Sequence, residues 1–131
     1  MSNIVESLYR VSGIDNLTEK LSKKSLLKIR TSPWGEDALG VVLNNISNKL
    51  DGYDDFGSGF DVSYQGSTEE LLNELISVYT EAGIKIRKEK SNMISYDNDG
   101  QRVYIAVNPD EDASTYTENS QGYFIYVENV E

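Results

Sequence analysis

The sequence predicts an α+β fold: a single domain with a mixed or antiparallel sheet ending in a C-terminal β-meander, and about four helices packed mainly on one face. Three observations lead there. Apolar residues recur at helical spacing in several segments before Gly83, and the period switches to alternation from Ile84 onward. Asp99-Gly100 lies between two alternating runs, where it supplies the positive backbone angles of a tight hairpin turn. Residues 1–131 are read as one domain, with 1–25 an N-terminal helical segment and 26–131 the sheet-and-helix core.

Residues 2–11, SNIVESLYRV, place Ile4, Val5, Leu8 and Val11 on one helical face, with Ser2 or Asn3 as cap and Gly13 as terminator. Asp15 opens a second, short helix, DNLTEKLSKK, with Leu17 and Leu21 inward and a basic outer face. In residues 26–31, Leu27, Ile29 and Thr31 alternate with Lys28 and Arg30, which predicts a strand. Pro33 and Gly35 then break the chain.

Over residues 36–50, Leu39, Val42, Leu43, Ile46 and Leu50 form one buried stripe of a helix. Asp37 is its expected cap and Gly52 its expected terminator. An acidic helix-to-strand loop follows, and then the alternation of Phe60, Val62 and Tyr64 with Asp61 and Ser63 marks a strand. Ser67 and Glu70 make a capping box, which satisfies two free backbone donors reciprocally and opens a helix that Gly83 ends. Four strands complete the chain: from Ile84, on either side of Asp99-Gly100, and over residues 122–130. A long polar connection, NPDEDASTYTENSQG, precedes the last of them.

Composition removes whole classes of chemistry. The 131 residues include no cysteine and no histidine. Disulfides, thiolate metal sites and Ser-His or Cys-His catalysis are therefore excluded. No charged-then-apolar leader and no apolar run near ~18 residues is present, so a cytoplasmic protein is expected, with no membrane partner. The net charge of −10 is uneven: residues 1–31 carry six bases and three acids, while residues 32–131 carry six bases and 19 acids. So negative a surface repels phosphate backbones, which argues against direct nucleic-acid binding, and it attracts basic surfaces. The plain alternative is that the acids serve solubility.

The run DGYDDFGSGFD at 51–61 is the first candidate cation loop. A calcium loop of EF-hand type needs glycine at its sixth position and glutamate at its twelfth, and every register starting from Asp51, Asp54 or Asp55 fails. In DNDG at 97–100, turn chemistry accounts for the aspartates. No metal and no cofactor is therefore expected. Walker, dinucleotide and nucleophile-elbow patterns are absent, and no catalytic residue is assigned.

The C-terminal strands set Val103, Ile105 and Val107 with Tyr123, Ile125 and Val127 on one face. The other face receives Arg102, Tyr104, Phe124 and Tyr126, joined by Arg87 and Tyr96. Such a face is either core covered by the N-terminal helices, a protein interface, or a base-stacking platform. The resulting expectation is a non-enzymatic acidic protein that binds a basic surface of a partner protein, as toxin-immunity or phage counter-defence inhibitors do. The expected partner-binding residues are Asp51, Tyr53, Asp54, Asp55, Phe56 and Asp61 in the first acidic segment, and Asp110, Glu111, Asp112, Tyr116 and Glu118 in the second. The competing expectations are a structural or assembly subunit of a phage particle or secretion complex, and a small hydrolase or transferase built on carboxylates, Tyr, Ser and Lys.

Overall fold

The structure, a computed structural model, describes residues 23–32, 34–111 and 118–130. The helix expected over residues 2–11 and all but the last two residues of the one expected over 15–24 lie outside the described residues. In chain order the elements are α1 (Lys23–Thr31), α2 (Gly35–Asn45), a 3₁₀ turn (Ser47–Lys49), β1 (Gly52–Asp55), β2 (Gly59–Tyr64), α3 (Thr68–Glu81), β3 (Arg87–Lys90), β4 (Met93–Asn98), β5 (Gln101–Pro109) and β6 (Gln121–Val130). The α+β class stands. The described residues hold three α-helices where about four were expected for the whole chain, and the sheet is antiparallel throughout.

The six strands run in the order β1-β2-β6-β5-β4-β3. β1 and β2 form a hairpin, and β3 to β6 form the expected meander, which returns so that β6 pairs with β2. Helix α3 carries the chain across the sheet from β2 to the far edge at β3. The stripes of α2 and α3 meet the inward residues of the central strands in one core: Leu39, Val42 and Leu43 from α2, Leu71, Leu72 and Leu75 from α3, and Val62, Ile94, Ile105 and Ile125 from the sheet are all fully buried. Each such side chain contributes roughly 1.5–3 kcal/mol relative to leaving it in water.

Two local signals behave as expected. Ser67 Oγ accepts from Glu70 N–H at 3.1 Å while Glu70 Oε1 accepts from Ser67 N–H at 2.8 Å, completing the capping box. At the other end Gly83, at φ +87°, donates to Thr80 O and Ile84 donates to Tyr79 O, closing the helix in a Schellman motif. Asp99 and Gly100 both take positive φ, 50° and 85°, as the two-residue hairpin between β4 and β5 requires.

Three expectations are corrected. Residues 26–31 are helical, not a strand. Strand geometry would turn Leu27 and Ile29 to the same face, yet Ile29 is 2% exposed and Leu27 54%; the helical pair Leu26 and Ile29 points inward instead. The helix over the stripe ends at Asn45, with Ile46 as C-cap, so Gly52 terminates nothing and opens β1. Its N-cap is Trp34, without a side-chain cap bond, and Asp37 lies in the first turn, where its charge suits the helix dipole. Gly35 lets this helix start against the sheet: a Cβ there would sit 2.5 Å from Val103 Cγ1 and 2.8 Å from Asn129 Oδ1.

Candidate functional site

The acidic run that looked like a loop is half of a hairpin on the edge of the sheet. Asp51 N–H donates to Ser63 O at 2.8 Å, and its carboxylate accepts twice from Gln65 Nε2 at 3.1 and 3.0 Å. Tyr53 turns inward, its ring 6.3 Å from that of Phe60. Asp54 lies outward and directly opposite Asp61, so two carboxylates share one row of the ladder. Asp55 Oδ1 accepts from Gly57 N–H at 2.7 Å and thereby shapes the hairpin tip, with Gly57 at φ +84°. Phe56, at that tip, is 60% exposed.

Of the second acidic segment, Asp110 donates its N–H to Gly122 O, and Glu111 and Glu118 are exposed. Asp112 and Tyr116 lie outside the described residues. The register sets Ser63 against both Gly52 and Gly122, so Asp51 and Asp110 come to the same end of the sheet. Asp55 and Phe56 lie at the other end, beside Gly59 and Tyr126. The candidates of the first segment therefore run along the β1–β2 hairpin, while Asp110 lies at the end of β5, three strands in from that edge. Among the described residues, no three carboxylates converge as metal ligands would, and no helix is long and apolar enough to cross a membrane.

Behind this edge lies the sheet face that the described helices leave uncovered. Register places Asn108, Phe124, Asp61 and Asp54 in one row, and Met93, Ala106 and Tyr126 in the next. Phe124 lies over Gly59, where an added Cβ would come within 2.6 Å of its ring, and Tyr126 is 41% exposed. Tyr96 does not join them. It pairs with Val103 and so points into the core, where its ring lies 5.2 Å from that of Tyr79.

The opposite edge carries the opposite charge, which the sequence reading missed. Of the six bases in residues 32–131, five gather at or beside β3: Lys85, Arg87, Lys88, Lys90 and Arg102. A polar chain orders part of this group. Arg87 Nε donates to Glu89 Oε2 at 2.9 Å, buried Ser95 donates to the same oxygen, and Arg102 Nη1 donates to Ser95 Oγ at 3.0 Å while Nη2 meets Asp97 Oδ1 at 2.6 Å. Hydrogen bonds from Ser95 and Arg87 hold the Glu89 carboxyl below its usual range. A signal was available in the sequence: these five bases all fall between residues 85 and 102, but averaging charge over a hundred residues conceals them.

Comparison with known protein families, characterised proteins and solved structures finds no match for this chain.

Proposed function

We propose that this protein is a non-enzymatic binding protein whose acidic β1 edge engages a basic surface on a partner protein, in the manner of toxin-immunity or phage counter-defence inhibitors. The observation that carries this proposal is the edge strand itself. Asp54 and Asp61 present a paired negative row beside Asp51, and the exposed ring of Phe56 stands at the hairpin tip. Charge of this kind speeds encounter and selects the partner, while an aromatic that becomes buried on contact supplies affinity. Five of the six bases in residues 32–131 lie at or beside the far edge, so the two edges of the sheet differ in charge.

The test is a matched pair of baits, the native chain and the double variant Asp54→Lys with Asp55→Lys. A partner captured by the first and lost by the second is taken into stopped-flow association kinetics. The expected result is an association rate that falls with added salt for the native chain and is lower, by roughly tenfold or more, for the variant. A partner that both baits retain equally, with a rate indifferent to salt, would overturn the proposal.

One observation favours a second reading, an assembly subunit. β1 and β3 are the two edge strands of the described sheet and bear opposite charge, so one copy's acidic edge matches another's basic edge. Light scattering decides between them: a defined multimer that dissolves in salt supports assembly, and a monomer at all concentrations removes it.

A further inference from the structure

We infer that the cleft beside β3 is a binding site for a small phosphorylated molecule. The cleft, of about 660 Å³, opens where the end of α1, the turn after α3 and the β3–β5 corner of the sheet meet. Its volume falls within the usual range of small-ligand sites. Four cations line it, Arg30, Lys85, Arg87 and Arg102, against one carboxylate, Asp97. In a chain of net charge −10 this convergence is contrary to the general trend.

The four have unlike roles. Arg87 and Arg102 are held in place by Glu89, Ser95 and Asp97, so two guanidinium forks are ordered before any ligand arrives. Arg30 and Lys85 form no ion pair among the described residues. Like charges gathered on one concave surface repel one another, and a dianionic group placed among them reverses the sign of that interaction. Ile84 and Ile86 add apolar wall beside the cations, a surface for the uncharged body of the ligand. The chemistry that fits is therefore a phosphate ester or diphosphate on a small, partly apolar body.

The site is separate from the acidic edge, so its test is independent of partner binding. The ¹⁵N-labelled full chain is titrated at low salt with inorganic pyrophosphate and with adenosine 5′-diphosphate, and adenosine serves as the uncharged control. The expected result is saturable shifts centred on the amides of Gly83 to Arg87 and of Arg30, with both phosphate probes and not with adenosine. The double variant Arg30→Gln with Lys85→Gln, shown folded by circular dichroism, should bind at least about tenfold more weakly. Lys49→Gln, remote from the cleft, should bind as the native chain does. Any of three results would overturn the inference: no saturable shift, shifts spread equally over Lys49 and the cleft as for an adventitious ion only, or unchanged affinity in the folded double variant.

Discussion

Replacing Tyr96 with Phe removes one of the few uncompensated polar groups in the core. Tyr79 and Tyr96 are both buried, their rings 5.2 Å apart and inclined at 41°. The two phenols are near enough to perturb each other's ionisation, yet among the described residues neither hydroxyl completes a hydrogen bond. A buried hydroxyl in that state costs about 1–3 kcal/mol, and the Tyr96→Phe change keeps the ring. Urea unfolding at pH 7 should therefore show the variant more stable by roughly 1 kcal/mol, with an unchanged m value. The alkaline limb gives a second reading. Burial pushes the Tyr96 phenol up to about 12, from 10.0. The folded state then keeps a proton that the unfolded chain releases, so this contribution is whole below pH 10 and is lost as pH rises towards 12. Two pH units correspond to about 2.7 kcal/mol, taken to order of magnitude. The Tyr96→Phe variant should lose stability less steeply over that window, while Tyr79, whose phenol burial also raises well above its ordinary value, keeps part of the decline. A variant less stable by more than about 1 kcal/mol at pH 7 would refute the absence of a partner. An identical alkaline limb would refute the role of burial.

Other outcomes follow from the packing. Gly35→Ala should destabilise by roughly 1–3 kcal/mol in thermal or urea unfolding, because its methyl meets Val103 and Asn129 at 2.5 and 2.8 Å. Ser67→Ala should cost about 1 kcal/mol by the same measurement, since it removes the acceptor for Glu70 N–H. Leu75→Ala, at a fully buried position of α3, should cost about 2–5 kcal/mol. Glu89 contributes stability above its ordinary pKa of 4.5, and this is lost as pH falls below that value; Glu89→Gln should flatten the acid limb of a stability–pH curve.

What could be read in advance was what a few neighbouring residues decide together. The Ser67–Glu70 box, the Gly83 terminator and the Asp99-Gly100 turn are each settled within four residues, and each formed as expected. Residues 26–31 were misread because six residues satisfy both periods, and only burial separates Leu27 from Ile29. β1 was missed for another reason: Gly52, Asp54 and Asp55 have little strand preference of their own, and pairing with β2 makes them a strand. Tyr96 went to the wrong face because its register with Val103, rather than its aromatic character, determines where it points. The acidic residues could be named from the sequence. The basic cleft could not be assembled from it, since Arg30 and Arg102 are brought to Lys85 by the fold.

The strand order has a consequence for the nascent chain. β6 is the latest of the six strands to leave the ribosome, yet it is the one that joins β2 to β5. Until it emerges, the β1–β2 hairpin and the β3–β5 meander are two separate ribbons, and the sheet edges at β2 and β5 stand open. The acidic hairpin must wait through the synthesis of the 56 residues between Tyr64 and Gln121 before its neighbour begins to emerge. Such late, long-range closure slows folding and prolongs the exposure of unpaired strands. The carboxylates of Asp54 and Asp61, whatever they later meet, also keep that waiting ribbon from pairing with another like itself.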